Sequence, residues 1–304
     1  MGISDIIMKS GFSVLGIKDN FLAIDKKYSN FKDSKIAILS APYEKTTSYG
    51  KGTAGGPSAV LKASHYVEFF DEETEKEVCF REGIAALKPL KLKNLSGKKA
   101  LNLIYKNVKS LIDAGKFVIT LGGEHSISTA PIKAHFDSYK ELSILHFDAH
   151  SDLRDEYEGS KYSHASFAAR VAEFTTRITQ VGIRAQCKEE FRFIKSSGIS
   201  AFYAYELRNE GFTGQMMDTI ISTLDKNVYI TFDVDYFDPS IMPSTGTPEP
   251  NGFYWNETMI FLKRVCSERN LVGFDVVELA PRKDLTFPDF LTAKLIYKIL
   301  NYKF

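Results

Sequence analysis

Six short apolar runs, rich in β-branched residues, recur along the chain: K-I-A-I-L-S (35–40), F-V-I-T-L (117–121), L-S-I-L-H-F (142–147), I-T-Q-V-G-I (178–183), V-Y-I-T-F (228–232) and L-V-G-F-D-V-V (271–277). Their hydrophobicity is continuous rather than alternating, which marks strands covered on both faces. Between them, segments such as 98–115 and 256–270 carry apolar residues at helical spacing. Buried strands alternating with helices predict a three-layer α/β/α fold around a mainly parallel central sheet. The 304 residues would allow two domains, but no Pro/Gly-rich linker, repeat or low-complexity tract divides them, so residues 1–304 read as one domain.

Charge narrows the function classes. Lys and Arg total 39 against 38 Asp and Glu, mixed along the chain rather than blocked. That argues against a surface built for nucleic acid or an anionic membrane. The apolar stretch from Phe12 to Leu15 is short and broken by Lys18 and Asp19, so no signal-peptide core is expected, and no run is long enough to span a bilayer. The chain reads as cytoplasmic. Cys79, Cys187 and Cys266 are odd in number, far apart and without a C-x-x-C pair, which predicts buried thiols rather than disulfides or a thiolate zinc site.

Gly, Pro, Asp and His gather where the runs end: G-G-E-H-S after 121, D-A-H-S-D after 147, D-V-D-Y-F-D-P after 232 and E-L-A-P after 277. Open parallel sheets bind ligands outside the carboxyl ends of their strands, so several strands point their chemistry at one edge. A lone Asp or His at a strand end is usually a turn former. Here, however, His125, His146, His150 and His164, four of the six histidines, fall in or beside these motifs, and carboxylates come in pairs two residues apart. In an extended chain, residues i, i+2 and i+4 share a side, so Asp148, His150 and Asp152 can converge, as can Asp233 and Asp235. With His125 they form a set of four carboxylates and two imidazoles. Crowded carboxylates cannot all stay ionised unpaired, whereas two divalent cations would neutralise them. Oxygen and imidazole donors without sulfur favour manganese or a similar ion, bridged by carboxylates at the roughly 3.5 to 4 Å spacing of two-metal sites.

The motifs G-G-E-H-S (122–126), H-F-D-A-H-S-D (146–152), S-H-A-S (163–166), D-V-D-Y-F-D-P-S (233–240), S-T-G-T-P-E-P (244–250) and V-V-E-L-A-P (276–281) stand in an order that resembles the ureohydrolase superfamily of arginases and agmatinases. The agmatinase branch is the nearest likeness. S-Y-G-K-G-T-A-G-G-P (48–57) is similar to that family's Gly-Pro helix entry, so the resemblance spans nearly the whole chain. It implies an arginase/deacetylase-like fold with two manganese ions per chain at the C-terminal edge of the strands. By that resemblance His125, Asp148, Asp152 and Asp233 hold one ion, and Asp148, His150, Asp233 and Asp235 the other, with Asp148 and Asp233 bridging. His164 matches a proton-relaying histidine and Glu278 the carboxylate that grips guanidinium. The family's trimers and hexamers imply a homo-oligomer. His146 matches no family ligand and is expected to orient the sheet edge or a neighbouring carboxylate. Where many agmatinases carry two arginines, this chain has Gly50 and Ala54.

The reaction implied is hydrolysis of a guanidino compound to urea and an amine. Guanidinium, with a pKa of about 13.8, is a poor electrophile, so hydroxide must be generated near neutral pH, which two metals accomplish. Glu278 would pair with the guanidinium, Asp152 would pass a proton to the leaving amine, and His164 would exchange protons with solvent. The loop 152–162 contains Asp155, Glu156 and Glu158, diluted by Arg154 and Lys161. An acidic mouth would favour a small cationic substrate, hence agmatine, giving putrescine and urea. Aminopropylagmatine, arginine and other guanidino acids are the alternatives. A single-zinc deacetylase would not need both His125 and Asp152 with a second carboxylate pair, and a metal-free scaffold would not need the intact set.

Overall fold

The computed structural model describes residues 12–304; the part of the N-terminus before Phe12 lies outside them. Eight strands form one sheet: β1 (Ile36–Ala41), β2 (Ile84–Ala86), β3 (Phe117–Gly122), β4 (Leu142–Phe147), β5 (Ile178–Ile183), β6 (Ser200–Tyr203), β7 (Asn227–Asp233) and β8 (Asn270–Val277). Their order is β2-β1-β3-β8-β7-β4-β5-β6 and every pairing is parallel. The six apolar runs are six of these strands. The other two, β2 and β6, are the sheet's edges, and runs of three and four residues are too short to stand out as apolar segments.

Side chains alternate between two cores, as the pleat requires. Ile36, Ile38, Phe147, Ile230 and Phe232 join one apolar cluster with helices α1 (Gly56–Ser64), α6 (Trp255–Glu268) and α7 (Phe287–Lys303). Ala37, Leu39 and Val118 face α2 (Gly97–Asp113) and α3 (Thr129–Phe136) on the other side. Two further helices are α4 (Lys188–Ser197) and α5 (Gly214–Ser222). Among the described residues, no helix is long and apolar enough to cross a membrane. All three cysteines are unpaired, but only Cys79 is buried; Cys187 sits at the entry of α4 and Cys266 near the end of α6, both partly exposed.

One row across the sheet breaks the apolar rule. Strand register aligns Thr120, Asp275, Thr231, His146 and Gln180 on neighbouring strands β3, β8, β7, β4 and β5. All five are fully buried. A polar row inside a core costs free energy unless each member finds a partner, and its place, one level below the C-terminal strand ends, makes it the floor of the site.

Candidate metal centre

The central strands β3, β8, β7 and β4 each deliver acid or imidazole to the same edge. His125 lies three residues beyond β3, Glu278 follows β8, Asp233 ends β7, and Asp148 follows β4. His125 Nδ1 is the meeting point: Asp148 Oδ2 is 2.9 Å away, Asp233 Oδ2 3.1 Å and Asp152 Oδ2 3.3 Å. His150 Nδ1 stands 2.9 Å from Asp235 Oδ2 and 3.5 Å from Asp148 Oδ1. All six residues expected as ligands are therefore brought together, with Asp148 common to both halves.

The route to this convergence differs from simple strand alternation. β4 ends at Phe147, and Asp152 reaches the centre through a left-handed backbone turn with φ 51°. Glu278 is left-handed as well, at φ 64°. Such conformations in non-glycine residues cost about 1 to 3 kcal/mol each and persist where surrounding contacts demand them. Asp233 and Asp235 are held by a local bond, the Asp235 amide donating to Asp233 Oδ1 at 2.8 Å. Arg184 pins the same loop by donating to the carbonyl oxygens of Asp235 (2.6 Å) and Glu249 (3.0 Å).

The polar row sets which nitrogen of each histidine faces the centre. Thr231 Oγ1 donates to Asp275 Oδ1 at 2.7 Å, so its lone pair is left to accept from His125 Nε2 at 2.9 Å. In the neutral ring His125 Nδ1 then carries the lone pair; the atom is buried, without a hydrogen-bond partner by geometry, in front of three carboxylates. Gln180 Nε2 donates to Ser151 O at 2.8 Å and to His146 Nδ1 at 3.0 Å. His146 consequently bears its proton on Nε2 and donates to Asp148 Oδ2 at 2.7 Å. His146 thus orients a carboxylate of the centre through Nε2–H, and its ring lies with His125 and Asp148 in a group close enough together to hold an ion.

Electrostatics show what the cluster lacks. Burial and the neighbouring Asp148 push the Asp152 carboxyl up to about 6. Burial, Asp235 and Asp148 drive Asp233 well above the usual carboxylate range. Burial opposes charge on His125 and His150, yet the facing carboxylates raise both well above an ordinary imidazole. Burial also works to raise Asp148, but His146, His125 and His150 more than offset it and hold it low. With protein groups alone, the centre is tolerable only by retaining protons. A His/Asp set of this kind, with lone pairs converging and no sulfur, fits a hard or borderline divalent cation.

A cavity of about 260 Å³ opens over the centre and is lined by Glu278, His164, Tyr49, Arg154 and Tyr157 besides the acids. Glu278 Oε1 accepts the His125 amide at 2.6 Å, and burial raises the carboxyl well above its ordinary value. Burial lowers His164 and favours its neutral form. The acidic-mouth expectation is corrected here. Asp155 pairs with Arg170 and Lys161, and neither it nor Glu156 nor Glu158 lines the cavity, because the loop turns them to solvent. Arg154 lines it instead, stacked on Tyr157 at 5.3 Å with Glu190 Oε2 4.0 Å from its Nε. Gly50 donates its amide to Gly246 O at 3.0 Å, and a Cβ there would lie 2.7 Å from that oxygen. The close approach of the two backbones leaves no room for a side chain. Residues the motif reading left without a role are Thr46, Glu124, Gln180, Thr231, Asp275 and Arg184; a polar residue inside an apolar run was the available signal for Gln180, Thr231 and Asp275.

A wholly parallel sheet in this order, with a buried His/Asp cluster at its carboxyl edge, defines an arginase-like α/β protein. A model of the arginase family matches residues 34–301. N(1)-aminopropylagmatine ureohydrolase of Synechocystis sp. is 36% identical over 279 residues, covering 90% of both chains. Agmatinase of Bacillus anthracis is 33% identical, over 85% of this chain and 88% of its own. The agmatine ureohydrolase structure of Thermoplasma volcanium superposes with a TM-score of 0.84 at 27% identity, covering 98% of this chain and 97% of the other. The chain belongs to the arginase family and is a ureohydrolase, an enzyme that hydrolyses linear amidines.

Proposed function

We propose that this ureohydrolase acts on a polyamine-type guanidine, N(1)-aminopropylagmatine ahead of agmatine, with two divalent cations, manganese by their donor set. The observation that carries the metal-dependent reading is His125 Nδ1, buried, without a hydrogen-bond partner and faced by three carboxylate oxygens within 3.3 Å. His125, Asp148, Asp152 and Asp233 would hold one ion, and Asp148, His150, Asp233 and Asp235 the other. When bound, the ions supply the acidity that deprotonates water near neutral pH.

The chain's own residues do the rest. Glu278, buried at the cavity floor, pairs with guanidinium and aligns its carbon, a charge-assisted contact that also favours the ionised carboxylate. Asp152 accepts the proton released as oxygen adds to that carbon. The C–N bond to the alkyl amine then breaks as this nitrogen takes a proton, and His164, on the cavity wall, exchanges the excess proton with solvent. Urea and an amine leave.

For the substrate tail, aminopropylagmatine ureohydrolases at 36% and 34% identity support that preference over agmatine, the agmatinases compared being at 33% and below. Tyr49, exposed and lining the cavity, is an aromatic ring available to a cationic amine. The test is urea release by manganese-loaded protein from N(1)-aminopropylagmatine, agmatine, arginine and guanidinobutyrate. The first should give the highest kcat/KM; equal or higher values for arginine would overturn the substrate reading, and no urea from any of them would overturn the function.

A further inference from the structure

We propose that Thr46 and Glu124 are positioning residues for His164, locking its ring as the Nδ1–H tautomer so that the Nε2 lone pair is the proton acceptor presented to the cavity. The inference rests on the reading of the site given above. Glu124 is fully buried directly before His125. Its Oε2 accepts the amides of Lys45 (2.5 Å) and Thr46 (2.7 Å), and its Oε1 accepts the hydroxyls of Ser126 (2.6 Å) and Thr46 (2.9 Å). This fastens the loop after Tyr43 to the end of β3 and delivers Thr46 to His164.

The proton assignment follows by counting. A carboxylate only accepts, so the single hydroxyl proton of Thr46 points at Glu124. Thr46 Oγ1 keeps its lone pairs for His164, accepting the backbone amide at 3.0 Å and facing ring Nδ1 at 3.2 Å. Nδ1 must carry the proton for that contact to be a bond. Ser163 Oγ, at 3.4 Å from Nδ1, is the more distant competitor. Nε2 has no protein partner among the described residues, and His164 lines the cavity. When Nε2 takes the excess proton, the chain imidazolium, Thr46 hydroxyl, Glu124 carboxylate stabilises the positive charge; when it releases that proton to solvent, the ring returns to the same tautomer, so protons balance over a turnover.

The test compares full-length wild type, Thr46→Val and Thr46→Ser. With manganese and a guanidine that the wild type turns over, Thr46→Val should lower kcat by at least about tenfold. KM should stay within about twofold and manganese content should not change. Thr46→Ser should restore most of kcat. Independently of turnover, ¹H–¹⁵N spectra of the magnesium-loaded, ¹⁵N-histidine-labelled chain report which ring nitrogen of His164 is protonated, the signal being assigned by its loss in His164→Asn. Nδ1–H in wild type and Thr46→Ser, with Nε2–H in Thr46→Val, is the expected result. A wild-type ring protonated on Nε2, or a Thr46→Val enzyme with unchanged kcat, overturns the inference. Because the wild-type spectrum needs neither urea release nor a folded variant, failure of the functional reading and failure of this one are distinguishable.

Discussion

Replacing Asp152 by Asn should make the metal-free protein more stable while abolishing its activity. Burial and Asp148 move the Asp152 carboxyl from 3.8 to about 6 in the folded chain. A group whose folded pKa is raised favours folding only while protonated. Its contribution is therefore lost as pH climbs from about 4 through about 6, and above that the folded state carries the whole penalty. At 1.36 kcal/mol per pKa unit the shift amounts to about 3 kcal/mol at pH 7. Asn mimics the neutral carboxyl and escapes this, and it tolerates the left-handed backbone at this position as well as Asp does. His135, which burial pushes down to about 4, destabilises both chains equally as pH falls and cancels in the comparison. Urea unfolding of wild type and Asp152→Asn in excess chelator should show a gain of up to about 3 kcal/mol at pH 7, shrinking towards zero at pH 4. No gain at pH 7, or the same gain at both pH values, would refute the argument that burial and carboxylate repulsion strain the centre when Asp152 is ionised. With manganese present, the variant should release no urea, a trade of stability against function.

Glu278→Gln keeps the shape but removes the charge that pairs with guanidinium, a contact worth roughly 1.5 to 3 kcal/mol, so kcat/KM should fall at least about tenfold with ion content unchanged. Loss of ions, measured by elemental analysis, would instead place Glu278 among the ligands. Neutralising Asp155, Glu156 and Glu158 together should leave the kcat/KM ratio of N(1)-aminopropylagmatine to arginine within about twofold, because these exposed acids do not line the cavity and surface charges act weakly. A collapse of that ratio would mean the loop turns inward when substrate binds.

The acidic loop and the strand-end motifs illustrate two degrees of legibility. His125, Asp148, His150, Asp152, Asp233 and Asp235 were recognisable because parallel strands bring their carboxyl ends to one edge, so polar residues following apolar runs had to meet there. Strand alternation was nevertheless an insufficient account of Asp152, which arrives through a left-handed turn after β4 has ended. Asp155, Glu156 and Glu158 follow immediately, yet a loop side chain has no lattice to fix its direction, and Arg170 on a separate helical segment captures Asp155 instead.

What the sequence determined by itself is the part carried by period and order: apolar runs long enough to be strands, the helices between them, and the chemistry at their ends. β2 and β6 stayed invisible since edge strands of three and four residues bury too little to require an apolar run. Only the tertiary structure decided the register that aligns Thr120, Asp275, Thr231, His146 and Gln180 beneath the centre. Tautomers belong to the same class: His125 presents Nδ1 because Thr231 has spent its proton on Asp275, and His164 meets Thr46 across 118 positions of chain. Hydrogen-bond direction depends on which donors and acceptors are brought within about 3 Å, a condition set by packing and register between distant segments, which local sequence pattern does not encode.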